Sequence, residues 1–553
     1  MSLCRMITAL CALSFAGFAQ PAQTVTVDAS TIVGSIDYTR YSLGQGGLSS
    51  HPMFHDHLAQ VTALHPRYVR FFMQEYYNLY PAHNTYNWVN LDSTLDDIVA
   101  TGAQPIADIC FKPRVLYPVI NPAITIPNSW AEWDTLICQL VRHCKQKKYG
   151  IHYWEIGNEA DKGEDGGCPY QSTTSDFRQW YAHTAKAIMA TDTSARVGGP
   201  GVSGIGNSYG PDLLSFCNAG GAPLHFFTWH KYDNDPANFG NEINTVKGWL
   251  QNYTSLKNIE IMFTEWNRGW ADGNPYTNPL FVCMTTKTFQ ERGLSVGSFY
   301  HIQDFCCSQP EFAQFMTSAG ATNMQNFWCG GGPYFGLFRN QANNRVMRPE
   351  YYSFLWMSRM QGSLLKVTGS SADIACIPVK NGNDMHALLW NSNGWPNTGT
   401  AGTTYRVTVN LPATAGGTFV AMRLVADSSA KFVDTVRTGA MASLATNPLV
   451  MTLKKFQLGY VAVSSMTKTI VSPMQDKKQG LLLLRGNTLS IIAPPAGRYR
   501  VTILDCMGRC VLRSSGTGRT DIDLSRRHLL PGVYAAELQT VSGRQSRTIT
   551  LTL

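Results

Sequence analysis

Short, uninterrupted apolar runs alternate with longer, half-apolar stretches along the first 360 residues of the chain. The runs end on polar residues, a pattern typical of strands that helices cover on both faces, as in a parallel sheet. The stretches between them have the length and pattern of helices, as Trp130–Lys147 and Ser175–Ala190 show. This repeated strand-then-helix order predicts a parallel α/β fold.

Eight of the apolar runs are expected to be strands, and eight strands predict closure into a (β/α)8 TIM barrel of ~250 residues. A doubly wound open sheet is the alternative, but no glycine-rich phosphate-binding fingerprint follows the first strand. Further helices are predicted at Leu91–Ala100, Asn241–Tyr253 and Thr277–Arg292. The strands are predicted near Leu43–Gly47, Tyr68–Phe71, Pro105–Phe111, Tyr153–Glu159, Arg196–Gly199, Leu224–Trp229, Ile261–Asn267 and Ser295–His301.

The pattern changes after residue 360 to short alternating segments separated by Gly, Asn and Pro, which is typical of a β-sandwich. An isolated alternating segment, Thr24–Asp28, precedes the barrel and is a candidate to pair into this sandwich. The predicted organisation is a barrel over 20–360, whose first strand (about 24–35) joins the sandwich, then a sandwich over 361–466, a polar linker over 467–479 and a small all-β domain over 480–553.

The first 19 residues resemble an export signal. Arg5 precedes an apolar run from Ile7 to Ala19, and Gly17-Phe18-Ala19 resembles a signal-peptidase site. The run is too short to span a bilayer, and no later segment reaches the ~20 apolar residues that a membrane helix needs. We therefore expect a secreted or cell-surface protein, exported through the periplasm, with no stable membrane span.

The net charge of +8 lies mostly in the tail, because Ile470–Leu553 contains 12 Lys/Arg and 5 Asp/Glu. These basic residues are scattered and form no recognised binding motif, which argues against nucleic acid as a partner. The 14 cysteines are irregularly spaced and predict no disulfide framework, although Cys506 and Cys510 flank a predicted turn and could bridge it. Zinc is disfavoured because paired Cys-x-x-Cys sets are missing. We expect no metal and no cofactor.

Two of the predicted strands, three βα units apart, end on glutamates, Glu159 and Glu265. The fourth and seventh strands of a barrel lie on opposite sides of its mouth, so the two side chains would face each other across a bound sugar. Glycoside hydrolysis needs a carboxylic acid to protonate the leaving oxygen and a carboxylate to meet the positive charge at the sugar carbon. The alternative is that both are solvated loop-edge residues.

The two glutamates are assigned different roles. Glu159 is predicted to be the general acid/base, with a pKa raised by burial and by the neighbouring carboxylate. Glu265 is predicted to be the nucleophile, kept ionised by hydrogen bonds and by a nearby cation such as Arg70.

The surroundings of both glutamates resemble the retaining glycosidases of clan A, and most of all glycoside hydrolase family 39. The Asn-Glu pair after the fourth strand is a mark of that clan, and the resemblance implies that Asn158 binds the sugar 2-hydroxyl. His230 and Tyr232 look like the His-x-Tyr of the sixth strand, where the tyrosine donates a hydrogen bond to the nucleophile and the histidine lines the subsite. Arg70 matches the second-strand arginine that supports the nucleophile.

Some further residues extend this resemblance, and one position departs from it. Trp266, next to the predicted nucleophile, is expected among the substrate-binding residues. The eighth strand ends on Tyr300-His301, where many clan members have a tryptophan. Pro349–Phe354 resembles the final barrel helix of such enzymes, together with Tyr334–Leu337 before it. Families 30 and 51 share the same chemistry.

The tail has a resemblance of its own. Tyr499–Cys510, then Leu529–Tyr534 and a final β run, are similar to the C-terminal sorting domain of the type IX secretion system, whose machinery would then be a partner. The terminal Thr548–Leu553 lacks the lysine often found there. A small carbohydrate-binding or adhesive β-module is the alternative.

The sequence therefore predicts a secreted retaining glycosidase that acts on an oligo- or polysaccharide by double displacement, with β-xylosides as the first expected substrate. The two carboxylates are then expected about 5–5.5 Å apart. The alternatives are an arabinofuranosidase or endo-glycanase of the same clan, and a non-catalytic glycan-binding protein. The presence of both glutamates disfavours the last.

Overall fold

The computed structural model describes most of the chain. The predicted export signal (1–19), the predicted linker (467–479), Tyr334 and Cys506 lie outside the described residues. The described residues are 20–46, 54–269, 277–329, 335–339, 347–397, 401–412, 417–425, 432–465, 481–485, 488–492, 498–504, 510–517, 519–524, 532–540 and 543–551.

Strand β1 (Ala22–Asp37) precedes eight parallel strands that close into a barrel, which confirms the predicted fold class. Each barrel strand pairs with the next along the chain, and the eighth pairs with the first. The apolar runs form strands here because helices and barrel interior cover both faces. The barrel strands are β2 (Tyr41–Gln45), β3 (Tyr68–Met73), β4 (Gln104–Ile109), β5 (Tyr153–Ile156), β6 (Arg196–Val202), β7 (Phe226–Tyr232), β8 (Glu260–Asn267) and β9 (Val296–Tyr300).

The helices follow the predicted order, with additions. The helix predicted at Trp130–Lys147 has those bounds because the Ser129 side chain accepts a hydrogen bond from the Glu132 N–H at its start, and Lys148 is left-handed at its end. The first, fifth, eighth and ninth helices were not predicted. The helices are α1 (Leu58–Ala63), α2 (Val89–Ala100), α3 (Trp130–Lys147), α4 (Thr174–Thr191), α5 (Tyr209–Asn218), α6 (Pro236–Leu250), α7 (Asn278–Arg292), α8 (Gln309–Phe312), α9 (Ser318–Cys329) and α10 (Glu350–Met357).

Two of the additional helices lie between β9 and α10, in what we call the α8–α9 segment (residues 304–329). A disulfide joins Cys306 to Cys329 across this segment. Its apolar side chains form a cluster of their own, which comprises Phe305, Cys307, Phe312, Phe315, Met316, Ala321 and Met324. The segment is therefore a small folded unit and not an irregular loop.

A nine-stranded sheet follows the barrel and contains β1. In that sheet β1 lies between two later strands, antiparallel to one and parallel to the other, with Thr26 opposite both Thr368 and Asn410. The sheet nearly closes on itself, since Arg437 of one edge strand donates at 2.7 Å to the carbonyl of Asn447, two residues before the other edge strand. Its other strands are β10 (Gln361–Thr368), β11 (Ile374–Asn381), β12 (Asp384–Asn391), β13 (Tyr405–Asn410), β14 (Gly417–Leu424), β15 (Val433–Ala440), β16 (Leu449–Leu453) and β17 (Leu458–Ser465).

The barrel and this sheet share one apolar core. Trp356 of α10 stacks on Tyr460 of β17, with ring centroids 5.2 Å apart and ring planes 9° apart, and both side chains are fully buried. Burying two large aromatic side chains together favours a fixed arrangement of the two parts.

The tail forms two small sheets around a separate apolar core that includes Leu489, Val501 and Leu538. Among the described helices, none is long and apolar enough to cross a membrane. The tail strands are β18 (Leu481–Arg485), β19 (Thr488–Ile492), β20 (Arg498–Leu504), β21 (Cys510–Thr517), β22 (Arg519–Asp523), β23 (Gly532–Thr540) and β24 (Gly543–Leu551).

Candidate active site

Glu265 points into the mouth of the barrel because β8 contains a bulge. Phe263 and Glu265 pair with successive residues of β7, so Thr264 between them is an extra residue. A bulge re-aims the side chains around it and interrupts their alternation. Thr264 donates to the buried carboxylate of Glu155 at 2.6 Å, while Glu265 also faces the interior and is 8% exposed.

Arg70 of β3 is a fully buried cation in the centre of the site. A buried charge is tolerated when it is paired and its hydrogen-bonding groups are satisfied, and this guanidinium has four polar partners. It donates from Nε to Glu155 at 2.7 Å, from Nη2 to Asp108 and to the Asn158 side-chain oxygen, each at 2.9 Å, and from Nη1 to Glu265 at 3.3 Å.

Both oxygens of Glu265 are held by donors. Tyr232 donates its hydroxyl to Oε1 at 2.5 Å, and Arg70 donates to Oε2. Burial raises the pKa of Glu265, while the positive charge of Arg70 and the hydrogen bond from Tyr232 act in the opposite direction. The contacts expected from the sequence are present, but they offset burial only in part.

Glu159 is positioned by the backbone. It follows β5 with a φ of 47°, a left-handed conformation that is rare for residues other than glycine. Its N–H donates to the Gly201 carbonyl of β6 at 2.7 Å, and its Oε1 lies 2.8 Å from Nδ1 of the fully buried His230. The strained turn is therefore fixed by a neighbouring strand and by one side chain.

The pKa of Glu159 is raised to about 8, first by burial and then by the negative charge of Asp161. Arg70 and Lys162 oppose this shift. The carboxyl therefore remains protonated at neutral pH, as a general acid requires. Burial lowers the pKa of His230, so the ring beside it is neutral.

Two glycines allow the backbone to approach Glu159 closely. A Cβ at Gly166 would lie 2.4 Å from Glu159 Oε2, closer than any real contact of this kind. Gly201 has a φ of +59°, and a Cβ there would lie 2.1 Å from the Gly157 carbonyl. Any larger residue at either position would displace the chain around Glu159.

The two glutamates lie close together. One oxygen of each carboxylate and one ring nitrogen of His230 all lie within 4.8 Å of one another. Such a group could in principle hold a cation. However, the guanidinium of Arg70 already lies beside Glu265, and its positive charge would repel a second cation at the same carboxylate.

A cavity of about 760 Å³ opens above the two glutamates, within the range of small-molecule sites. Its floor includes Asn158, Glu159, Tyr232 and Glu265, all predicted from the sequence as site residues. Further polar side chains that the sequence did not single out also line it, namely Gln74, Lys162, Asp165, Ser203, Lys231, Glu242 and Asn323.

Three other predicted site residues lie outside this lining. Arg70 and His230 act from beneath it, through Glu265 and Glu159 respectively. Trp266 does not reach the cavity, so its prediction as a substrate-binding residue is not supported. Its ring is fully buried outside the barrel, 5.1 Å from Phe289 and 5.2 Å from Phe299, because the bulge at Thr264 turns it outward.

Asp108 and Glu155 were missed by the sequence analysis, although both contact Arg70. Each is the single charged residue of its strand, and this is the signal that could have revealed them. Buried carboxylates in such positions need a cation, and Arg70 was already a candidate.

The family model for "Glycosyl hydrolases family 39" matches residues 67–427. That range contains every residue of the site described above. The chain belongs to this family.

This family-39 chain is 24% identical over 337 residues to a beta-xylosidase of Caldicellulosiruptor saccharolyticus, a match that covers 56% of the chain and 64% of the relative. It is 21% identical over 339 residues to a beta-xylosidase of Geobacillus stearothermophilus, covering 55% of the chain and 62% of the relative. The matches thus span less than two thirds of each of these relatives.

The fold of this family-39 chain is similar to that of a solved structure, a monomeric beta-xylosidase from Caulobacter crescentus CB15. The TM-score is 0.61 at 16% identity, and the match covers 81% of the chain and 100% of that structure. At this identity the likeness concerns the fold, and it agrees with the barrel and the accompanying sheet.

Proposed function

We propose that the protein is a retaining glycosidase that works by double displacement, with Glu265 as nucleophile and Glu159 as acid/base. The observation that carries this proposal is the close approach of the two carboxylates, within 4.8 Å between one oxygen of each. Inverting enzymes keep their carboxylates roughly 6.5–9.5 Å apart to admit a water molecule, whereas retaining enzymes bring them to about 5–5.5 Å.

The first step needs Glu265 ionised and Glu159 protonated. Glu265 attacks the anomeric carbon, the bond to the leaving oxygen breaks, and Glu159 transfers its proton to that oxygen. Glu159 has a pKa of about 8, which keeps the proton in place at neutral pH. Glu265 has two donors on its oxygens that favour the charged form.

The second step reverses the direction of proton transfer. Glu159, now ionised, takes a proton from a water molecule, which attacks the anomeric carbon and displaces Glu265. Arg70 then stabilises the restored carboxylate of Glu265, and Tyr232 fixes its orientation. Asn158 lies in the cavity beside Glu159 with its side-chain oxygen held by Arg70, a position suited to bind a sugar hydroxyl.

We propose a β-xyloside as the first substrate to test, since two relatives are beta-xylosidases. An arabinofuranosidase or an endo-glycanase of the same clan is the alternative, because both would use the same pair of glutamates. A non-catalytic glycan-binding protein is disfavoured by the presence of both carboxylates and of the groups that hold them.

We also propose export of the protein and recognition of its tail by the type IX secretion machinery. Support comes from the sequence of residues 1–19 and from the motifs of the tail. The tail has its own core, which is compatible with a separately recognised unit. To test this proposal, the full chain and a chain ending at Ser465 are expressed in a host with that machinery, and the medium is assayed for each protein. Equal secretion of both would contradict the proposal.

The catalytic proposal is tested with a panel of aryl glycosides that includes the β-xyloside. Wild type, Glu265→Ala and the control Glu291→Ala, an exposed glutamate on α7, are compared, and proton NMR identifies the first-formed anomer. We expect turnover with retention by wild type and control, and none by Glu265→Ala. An inverted first product, or full activity of Glu265→Ala, would overturn the proposal.

A further inference from the structure

The cavity above the glutamates has two unlike sides. Polar and charged side chains surround Glu159 and Glu265, whereas the side formed by the α8–α9 segment is almost entirely apolar. Among the described lining residues of that segment, Asn323 is the one polar side chain. The others are Phe305, Phe312, Phe315, Met316, Met324, Phe327 and Trp328.

This apolar wall continues down to the nucleophile. The ring of Trp328 lies 6.1 Å from that of Phe335, which in turn lies 5.2 Å from the ring of Tyr232. Tyr232 donates directly to Glu265. A group bound against the wall would therefore lie next to a sugar held between the two glutamates.

The wall is also tied to the loop that carries the acid/base. Glu164, five residues after Glu159, accepts hydrogen bonds from the backbone N–H of Thr317 at 2.5 Å and from its hydroxyl at 2.6 Å. Because Glu159 protonates the leaving oxygen, the side of the cavity next to its loop is the side on which the leaving group lies.

The wall is formed in advance. The disulfide between Cys306 and Cys329 joins the two ends of the segment, and Glu164 holds its middle through Thr317. A surface ordered before the ligand arrives does not have to be ordered on binding, so more of the contact free energy appears as affinity.

A second sugar unit would be poorly matched to this wall. Aromatic rings can stack on one face of a sugar, but its hydroxyls then need partners, and buried hydroxyls without hydrogen bonds are costly. The wall itself offers one polar side chain among its described lining residues, Asn323, which cannot satisfy the hydroxyls of a pyranose ring that lies against it; Lys162 and Asp165 line the cavity on the loop of Glu159 instead. An alkyl or fused-ring leaving group has no such requirement and gains from contact with apolar surface.

We propose that the α8–α9 segment forms a binding site for an apolar leaving group, so that the substrate is a glycoside of a hydrophobic alcohol or phenol and not an oligosaccharide. This inference rests on the proposed glycosidase activity and adds the class of substrate to it. The leaving alcohol departs as the glycosyl bond to Glu265 forms, and it carries away the proton of Glu159.

The test compares methyl, butyl and octyl β-D-xylopyranosides with xylobiose, each below its critical micelle concentration. If the enzyme prefers another sugar in the aryl glycoside panel, the alkyl glycosides of that sugar replace the alkyl xylosides. The alkyl series keeps the leaving-group chemistry nearly constant while its apolar surface grows. We expect kcat/KM to rise about two- to fourfold per methylene placed against the wall, and octyl xyloside to exceed xylobiose. A flat or falling series, or a clear preference for xylobiose, would overturn the inference.

A matched pair of variants locates the effect. Phe327→Ala removes a half-buried ring of the wall, and Phe216→Ala removes a half-buried ring of α5 that does not line the cavity. We expect Phe327→Ala to lower the ratio of octyl to methyl kcat/KM by about three- to tenfold, and Phe216→Ala to leave the ratio unchanged. The ratio cancels any loss of folded enzyme. An unchanged ratio in Phe327→Ala would count against the wall as the binding site.

Failure of the inference can be told apart from failure of the catalytic proposal. Isothermal titration calorimetry measures binding of the same alkyl series to Glu265→Ala, in which turnover is not needed. Tighter binding of octyl than of methyl xyloside, with no glycoside hydrolysed by wild type, would support the apolar site and overturn the glycosidase. Turnover of aryl xylosides, with equal binding of both alkyl xylosides, would do the reverse.

Discussion

The two glutamates are held in place by different means. Glu265 lies on a strand, and its two oxygens are fixed by Tyr232 and by Arg70, a buried cation with three further partners. Glu159 lies on a turn with a left-handed backbone, and its side chain has one neighbouring histidine and a glycine at close range. The first is positioned by charge and hydrogen bonds, the second by the shape of the backbone.

This difference has a chemical meaning. A nucleophile must remain ionised and aimed at one carbon atom, so fixed donors on both oxygens suit it. An acid/base must exist in both protonation states during each turnover, so strong donors on its oxygens would hold it in one state. Surroundings that raise the pKa without fixed cationic contacts allow Glu159 to gain and lose its proton.

The largest expected effect separates the two roles by the product formed. Glu265→Gly should lose at least ~10⁴-fold in kcat/KM on every substrate, and added azide should restore turnover with an inverted glycosyl azide as product. Glu159→Gly should lose about 10²–10⁴-fold on poor leaving groups and far less on a dinitrophenyl glycoside, which needs no protonation. Proton NMR of the products that each variant forms with azide identifies the anomer and so checks both role assignments. The same anomer from the two variants would refute the assignment of roles.

The next-largest effect is expected from removing Arg70, the buried cation beside Glu265. Arg70→Met should destabilise the protein by about 3–5 kcal/mol, because it leaves the carboxylates of Glu155 and Asp108 buried without their cation. It should also lower kcat/KM strongly, since Glu265 loses one of its two donors. Urea unfolding followed by circular dichroism measures the stability.

Arg67→Met is the matched control for this substitution. Arg67 pairs with Asp37 on the surface, with half of its side chain exposed, so its loss should cost less than ~1 kcal/mol. Equal losses in the two variants would show that Arg70 is not the buried charge centre described here.

A smaller effect tests the backbone around Glu159. Gly166→Ala should lower kcat about tenfold or more, because the added methyl group would occupy the space of Glu159 Oε2 and displace that carboxyl. Gly248→Ala on α6 is the control, since nothing lies near its Cβ position. Because Glu265 is untouched, Gly166→Ala should lose less on dinitrophenyl than on alkyl glycosides. Equal losses of activity on both substrates would show that the substitution does not act through Glu159.

The smallest effect is the dependence on pH. The pKa of Glu159 is raised to about 8 and its protonated form is the active acid, so activity should be present at neutral pH and fall as the pH rises through about 8. The measurement is kcat/KM of wild type on an alkyl glycoside from pH 6 to 10. The decline should be absent in Glu159→Ala assayed with a dinitrophenyl glycoside. A decline of the same midpoint in that variant would assign the titration to another group.

The sequence was sufficient for features that depend on local pattern. The helix at Trp130–Lys147 was predicted from its length and apolar pattern, and both glutamates were predicted from carboxylates at the ends of apolar runs. Arg70 was predicted as a cation near the end of the second strand and Tyr232 as part of a family's His-x-Tyr motif, and both contact Glu265.

Features that depend on a break in local pattern were missed. Strict alternation along β8 gives no sign of the bulge at Thr264, so it could not show that Trp266 turns outward. The α8–α9 segment was also missed, because α8 has only four residues and the disulfide joins two cysteines among 14 of irregular spacing. Both features are decided by tertiary packing, which cannot be predicted from the sequence pattern of one segment at a time.

The place of β1 in the nine-stranded sheet sets an order of events during synthesis. Its partners β10 and β13 follow it only after the whole barrel has been made. At ~5–20 residues per second, the strand waits on the order of 15–65 s for its first neighbour to be translated. An extended strand with unpaired N–H and C=O groups is a template for association with other chains during that time. Completion of this sheet is therefore a late step, and β1 is open to such association until its partners have been made.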